Sequence, residues 1–190
     1  MKLYKLTNQA STTYNHTMWG AGVTHSKPVI SNPELCSSEV LHAYSNKNIA
    51  YILNPIHADI SNPVLWEAKG EVVVKDFGKV GCFELTTVKQ LEPPIWVGST
   101  KENQVRIMFA ILCAEAVLHY FEDDYPADTR VRKAIEAAKK YTSGAADAAD
   151  VARAARAALD SAAYADTDAR AALDSGVFAD RAVKLIMNLD

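Results

Sequence analysis

Residues 64–89, VLWEAKGEVVVKDFGKVGCFELTTVK, decide the fold of the chain. The stretch is rich in β-branched and aromatic residues and predicts three strands, Val64–Ala68, Glu71–Lys75 and Val80–Lys89. The segment DFGK between the last two strands predicts a hairpin turn. Gly81 inside the final strand indicates a bulge or a close approach of another backbone. The sequence therefore predicts a sheet built largely from neighbouring antiparallel strands.

The residues before this stretch add two strands and a long loop. Leu3–Thr7 is short enough to be an opening strand, and Val40–Tyr44 alternates as a second one. Residues 8–38 carry turn signals but little periodicity, and we expect them to be mostly loop.

A short helix is predicted to follow the second of these strands. Ser45 is placed to cap a helix over Asn48–Leu53, because its hydroxyl can accept a backbone N–H of the first turn. Asn54-Pro55 then stops the helix, since the residue before a proline avoids the α conformation.

From about residue 100 the chain is predicted to be helical throughout. Ser99 and Glu102 form a capping box, and apolar residues follow at helical spacing, which predicts a helix over residues 100–122 that covers the sheet. A second helix is predicted from Asp128 to Tyr141, with Gly144 at the position of a C-terminal cap.

The composition divides in the same way and completes the prediction of fold class. Of the 190 residues 49% are hydrophobic, but 30 are alanine and 24 of these lie after residue 100. We expect an α+β protein in which a small, mainly antiparallel sheet covered by a helix is followed by an Ala-rich helical bundle. The predicted domains are residues 1–122, a mixed α/β domain carrying the candidate site, and residues 123–190, an Ala-rich helical subdomain.

Charge, hydropathy and cysteine usage narrow the classes of protein. A net charge of −3 disfavours a nucleic-acid-binding surface. We find no stretch of 18 uncharged apolar residues, so no membrane span is expected, and the start MKLYKLTNQ lacks the apolar core of a signal peptide. Cys36, Cys82 and Cys113 are odd in number and form no C-x-x-C pair, which indicates a reducing compartment.

The chemistry-bearing side chains are concentrated in the first half. Histidine beside a carboxylate can move a proton near neutral pH, so His25, His42 and His57 with Glu67 are the candidate catalytic residues. The same side chains, with Cys36 and Cys82 nearby, are of types that bind zinc, but no short ligand pair anchors them. We therefore predict no metal site and no cofactor.

Aromatic and polar residues of the same region are the candidate ligand-binding residues. The segment WGAGVTH contains G-x-G but lacks the strand, the third glycine and the helix of a dinucleotide-binding motif. Aromatic rings there and elsewhere can stack on a base or a sugar. The candidates are Trp19, Thr24, His25, His42, Tyr44, Asn54, His57 and Trp66.

The eight motifs WGAGVTH, LC, LHAY, LNPIHAD, LWEAKGEV, KVGC, ELTTV and RIMFAILCAEAV, in this order, resemble an uncharacterised family found in bacteriophages and bacteria. The resemblance covers roughly residues 1–120, after which members continue into an alanine-rich helical tail. It implies a phage or prophage origin and no established activity. The positions that match the polar motif residues are Trp19, Thr24, His25, Cys36, His42, Tyr44, Asn54, His57, Trp66, Glu67 and Cys82.

Two functions remain open at this point. The first is a non-catalytic, phage-type binding protein that acts in the host bacterial cytoplasm on a nucleotide-like small ligand or a host protein, with counter-defence as one such role. The alternative is an enzyme that acts on a nucleotide or ADP-ribose-type substrate by His/Glu acid–base chemistry. Because alanine faces bury little area, we also expect the helical tail to dock on the first domain or to form a homo-oligomer.

Overall fold

The computed structural model describes residues 1–144 and 175–189, and the chain forms two compact units, Met1–Val97 and Gly98–Asp190. The division falls near residue 100, where the composition changes. The domain boundary after residue 122 stays a prediction about which segments fold independently. The expectations for the alanine-rich residues 145–174 lie outside the described residues.

The first unit contains a seven-stranded sheet whose pairings are all antiparallel, so that the α+β class is confirmed. The strand order is β4-β9-β6-β1-β5-β8-β7, while β2 and β3 pair separately as a small hairpin. The strands are β1 (Lys2–Thr7), β2 (Thr12–Thr13), β3 (Thr17–Met18), β4 (Thr24–Ser26), β5 (Leu41–Tyr44), β6 (Val64–Lys69), β7 (Val74–Asp76), β8 (Lys79–Cys82) and β9 (Glu84–Leu91).

The sheet curls on itself because β8 and β9 are successive parts of one bent strand. Only Phe83 separates them, so their ends lie within about 7 Å along the chain. In the strand order, however, β6, β1 and β5 stand between β9 and β8, a separation of about 19 Å in a flat sheet. Both conditions hold only if the sheet is strongly curved. The prediction of one strand over Val80–Lys89 is therefore wrong at Phe83, where the chain changes partners.

The concave interior holds the main apolar core of this unit. Leu3, Ala43, Ala68, Val80 and Leu85 pack there with other buried side chains. Their register agrees with strand alternation, since Leu3 lies opposite Ala68 and residues two apart share a face. Leu3, Lys5 and Thr7 thus point to the interior.

Two backbone features predicted from the central stretch are confirmed. Asp76 pairs directly with Lys79, and the two residues between them have φ of 42° at Phe77 and 82° at Gly78, as in a tight hairpin turn. Gly81 sits at a close approach, because an added Cβ would lie 2.7 Å from Val40 Cγ2 and 2.8 Å from Val74 Cγ1.

The helix that packs on the sheet within this unit is α1 (Lys47–His57), which contacts β1 and β5. Its cap is Asn46 and not the predicted Ser45: the Asn46 Oδ1 accepts the N–H groups of Asn48 and Ile49 at 2.7 and 3.2 Å. The helix also continues past Pro55. Because proline lacks an N–H, the last turn loses one i→i−4 hydrogen bond, and the helix ends two residues later at His57.

The second unit contains three described helices, α2 (Glu102–Asp124), α3 (Arg130–Thr142) and α4 (Ser175–Met187). Helix α2 packs against both α3 and α4. Ion pairs link Glu122 with Arg132 and Glu115 with Lys139 across α2 and α3. Helix α2 was expected to cover the sheet, but within the first unit the helix that packs on the sheet is α1.

The ends of these helices lie near the predicted residues, but the predicted capping box is wrong in detail: the N-cap residue of α2 is Lys101, whose side chain makes no capping hydrogen bond, and α3 begins at Arg130. The Glu102 carboxylate accepts the Gly98 N–H at 2.7 Å, and the Ser99 Oγ accepts the Lys101 N–H at 3.2 Å. Gly144 has φ of 77° and donates its N–H to the Tyr141 carbonyl, as a C-terminal cap does. By length and mean hydropathy alone, 1.4 over its most apolar part, α2 would be able to cross a membrane, a test that core helices of soluble proteins also pass.

Candidate functional site

A cleft of about 980 Å³ opens in the first unit where strands β1 and β5 part. The two strands pair at Tyr4 and Tyr44, and no pairing continues between residues 5–7 and 41–43 of the described strands. The end of α1 and the loops around residues 12–17 and 36–40 complete the walls. The gap in the ladder thus gives ligands access to backbone and side-chain groups that a continuous sheet would cover.

Lys5 is the charged group deepest in this wall. Its side chain is directed to the interior, where Nζ donates to the His42 carbonyl at 2.7 Å and lies 4.7 Å from the centre of the Trp19 ring. Among the described residues no carboxylate forms an ion pair with it. Burial, and secondarily the charge of Lys79, lowers the pKa of Lys5 to about 8.

The cleft has an excess of positive charge. Lys5, Lys27 and Lys79 line it, whereas Asp59 is the one carboxylate among the described lining residues. Lys79 Nζ lies 3.6 Å from the Cys36 Sγ, which is also at the cleft wall. Such a lining favours an anionic ligand over a neutral or cationic one.

Two of the predicted histidines meet in this cleft. His42 is half-buried, its Nε2–H donates to the Leu35 carbonyl, and burial lowers its pKa below the usual value. His57 ends α1 and stacks on the Tyr44 ring, with centroids 6.0 Å apart and planes 10° apart. Loss of solvent around its ring, followed by the charge of Lys79, also lowers the pKa of His57. Both imidazoles are therefore neutral at pH 7, and lysines supply the positive charge.

His25 lies elsewhere, on β4, beside Trp19. Its Nε2–H donates to the Met18 carbonyl at 2.7 Å, and its ring meets the Trp19 ring edge-on at 4.6 Å. Trp19 is buried and donates its indole N–H to Thr13. Trp19 thus contacts both Lys5 and His25, but of these two only Lys5 lines the cleft.

Glu67 is held by lysines outside the cleft. It accepts from Lys2 Nζ at 2.9 Å and has Lys89 Nζ at 3.9 Å. The hydrogen bond from Lys2 lowers the pKa of the Glu67 carboxyl, which is then ionised and neutralised at pH 7. The structure therefore brings His42 and His57 together and separates both from Glu67 and from His25.

Three other predicted ligand-binding residues make structural contacts. Asn54 ties the end of α1 to the next turn, since its amide donates to and accepts from the Ile60 backbone. Trp66 is buried and donates to the Thr7 hydroxyl at 3.0 Å, and the Thr24 hydroxyl pairs with that of Thr86 on the surface. Of the predicted set, Trp19, His42, Tyr44 and His57 line the cleft.

Sequence reasoning missed Lys5 and Lys79. The sequence does contain a signal that Lys5 is buried. In a strand over KLYKLT, Lys5 and Leu3 are two residues apart and therefore point to the same face of the sheet. Lysine is rarely buried without a partner, so a lysine on the interior face of a strand indicates a special role that an exposed lysine does not. In residues 1–144 and 175–189 no group of three or more His, Cys, Asp and Glu side chains is arranged to hold a metal ion.

Comparison with known proteins concerns the other half of the chain. No curated protein and no solved structure gave a match. Residues 98–177 match the family model described as "Imm-5 like putative immunity protein". The matched span is less than half of the chain and begins where the second compact unit begins. The chain is therefore similar to this family over residues 98–177, and the residues that line the cleft lie outside the matched span.

Proposed function

We propose that the protein is a non-catalytic binding protein whose first unit takes an anionic, nucleotide-like small ligand in the cleft between β1 and β5. The observation that carries the proposal is Lys5, a buried ammonium that faces a large cleft without a carboxylate partner among the described residues. Burying an unpaired charge costs free energy. An anionic ligand would supply the missing counter-charge.

The other lining groups suit a phosphorylated ring compound. Lys27 and Lys79 offer two more ammonium groups to phosphate oxygens. The exposed ring of His57, backed by the buried Tyr44 ring, offers a flat surface for a base or a sugar. The cleft volume of about 980 Å³ is at the upper end of the range for small-ligand sites.

Isothermal titration calorimetry with matched ligands tests this proposal. ADP, ATP, ADP-ribose and a cyclic dinucleotide are compared with adenosine, which keeps the ring and lacks the charge. We expect at least one phosphorylated ligand to bind about tenfold or more tightly than adenosine. Lys5→Gln should weaken that binding about ten- to a hundredfold, since a charge-assisted contact contributes roughly 1.5–3 kcal/mol.

The matched control is Lys75→Gln, an exposed lysine of β7 that does not line the cleft. Its affinity should equal that of the unmodified protein. Equal binding of ADP and adenosine, or equal losses in the two variants, would contradict the anion-binding cleft.

The alternative, an enzyme acting on a nucleotide or ADP-ribose-type substrate, has weaker support from the geometry. His42 and His57 are neutral and in the cleft, but the predicted carboxylate partner Glu67 is engaged by Lys2 and Lys89. Product formation during prolonged incubation with ADP-ribose or nucleotides, abolished by His42→Ala or His57→Ala in folded protein, would favour the enzyme.

A second candidate function concerns the second unit and is favoured by the family match over residues 98–177. In this case the protein acts as an immunity protein, and the helical unit binds a partner protein in the bacterial cytoplasm. Co-expression of the full chain with candidate toxins tests it, and protection of the cells is the expected result. Size-exclusion chromatography with light scattering of the same protein tests the proposed homo-oligomer.

A further inference from the structure

We infer that Lys5 is an imine-forming amine that captures phosphorylated aldehydes covalently in the cleft between β1 and β5. The inference rests on the proposed function for the location of the ligand, and goes beyond it in assigning a reversible covalent bond. Its ligand class is an aldehyde that carries a phosphate group, such as a phosphorylated sugar in its open form or a phosphorylated aromatic aldehyde.

The hydrogen bonding of Lys5 leaves the reacting nitrogen available. Within residues 1–144 and 175–189 its Nζ has one protein acceptor, the His42 carbonyl at 2.7 Å. A carbonyl accepts an N–H from a neutral amine as well as from an ammonium, so this bond is weakened but not lost when the proton leaves. A carboxylate partner would instead hold Lys5 protonated, and among the described residues it has none. The neutral amine thus stays in place with its lone pair unused.

The environment also supplies that neutral amine near physiological pH. Burial and the charge of Lys79 lower the pKa of Lys5 from 10.5 to about 8. At pH 7 this raises the fraction of neutral amine about 300-fold over an exposed lysine. The Trp19 ring 4.7 Å from Nζ favours the ammonium and opposes this effect, but burial dominates.

The reaction is balanced by the amine and the aldehyde alone. The Lys5 lone pair forms a C–N bond to the carbonyl carbon, the carbonyl oxygen is protonated, and a carbinolamine results. Loss of that oxygen as water, with the second nitrogen proton, leaves a C=N bond. No oxidant or reductant takes part, and water reverses the reaction. Lys79 and Lys27 at the cleft wall are the candidate partners of the ligand phosphate.

Reductive trapping of the full-length protein tests the inference. The protein is incubated with pyridoxal 5′-phosphate as the probe at pH 7, reduced with sodium borohydride after a short interval, and mapped by peptide mass spectrometry. We expect the reduced adduct on Lys5 at a rate at least about tenfold above that at exposed Lys75. Pyridoxal, which lacks the phosphate, should react several-fold more slowly. Lys79→Gln should remove that difference.

The variant Lys5→Arg keeps the positive charge but cannot form an imine, and its adduct at this position should disappear while Lys75 reacts as before. If Lys5→Arg does not fold, the positions of the reduced adducts in the unmodified protein, located by peptide mass spectrometry, decide whether the inference holds. Adducts confined to the Met1 amine and to exposed lysines would overturn the inference. Calorimetry with ADP separates the two proposals: binding of ADP without trapping at Lys5 overturns only the imine, and trapping without ADP binding overturns only the nucleotide-like ligand.

Discussion

At the scale of single residues, Lys5 has the least ordinary position in the first unit. It shares the interior face of β1 with Leu3 and Thr7, both fully buried, and so lies where strand alternation predicts an apolar side chain. Its hydrogen bond to the His42 carbonyl bridges the gap between β1 and β5. Lys5 therefore both fills the opening in the sheet and supplies the charge of the cleft.

The depressed pKa of Lys5 predicts a specific dependence of stability on pH. Between about pH 8 and pH 10.5 the unfolded chain holds a proton on Lys5 that the folded chain has lost, so the folded state gains stability as the pH rises. Between about pH 7.5 and pH 10, the free energy of unfolding should rise by about 2 kcal/mol relative to that of Lys5→Met.

Urea denaturation of both proteins at the two pH values measures this difference and cancels the titration of shared groups. A difference between the two proteins that stays constant across the range would contradict the buried, unpaired lysine.

At the scale of elements, α1 is capped by Asn46, one residue after the predicted cap Ser45. Ser45 and Asn46 are both good capping residues, and sequence preference does not separate them. The structure shows that Asn46 faces the first turn, whereas the Ser45 hydroxyl donates to the Gly78 carbonyl at 3.3 Å. Which side chain caps the helix is decided by the path of the chain out of β5.

Truncation of the two residues should separate their roles. Asn46→Ala should lower the free energy of unfolding by about 1 kcal/mol, because two N–H groups lose their acceptor. Ser45→Ala, the matched control, should cost a few tenths of a kcal/mol. Chemical denaturation checks both, and a larger loss in the serine variant would contradict the assigned cap.

The bent strand of β8 and β9 requires a residue without a side chain at Gly81. A Cβ at this position would overlap Val40 and Val74 on neighbouring segments, so Gly81→Ala should destabilise the protein by about 1–3 kcal/mol. Gly20→Ala is the control, since its nearest neighbour, Val23 Cγ2, would be at an ordinary contact distance of 3.5 Å. Thermal unfolding of the two variants measures the contrast, and equal melting temperatures would refute the close approach.

Local sequence predicted most of these elements because their signals act over a few residues. The DFGK hairpin, the Ser99–Glu102 helix start and the Gly144 cap each depend on neighbours within four positions. The break at Phe83 was not predictable in this way. It arises from pairing with β5 on one side and β6 on the other, which are distant in sequence.

At the scale of the whole molecule, the chain consists of two compact units that differ in secondary structure: a sheet with one α-helix before residue 98, and described helices after it. The interior of the first unit is made by residues from Leu3 to Leu85, all before the division at Val97. We therefore expect a fragment of residues 1–97 to fold cooperatively without the helical unit. Circular dichroism with urea denaturation checks this. A fragment of residues 1–97 that is unfolded while residues 1–122 fold would support the boundary after residue 122.

The candidate site was only partly predictable, because its residues are brought together by pairing between strands that are distant in sequence. Residue chemistry indicated His42, His57, Tyr44 and Trp19, which the structure brings to one cleft. It also indicated His25 and Glu67, which do not line the cleft: His25 contacts Met18 and Trp19, and Glu67 is bound by lysines. Three-dimensional pairing decides which of several plausible polar residues meet, and one sequence does not contain that pairing explicitly.

The central claim is that the opening between β1 and β5 binds an anionic ligand. A titration of ¹⁵N-labelled protein with ADP, followed by two-dimensional NMR, tests it most directly. We predict saturable shifts of backbone amides around Lys5, His42, His57 and Lys79, with the amides of α3 unchanged. Shifts that cluster elsewhere, or no saturable shifts up to millimolar ADP and ADP-ribose, would contradict the claim.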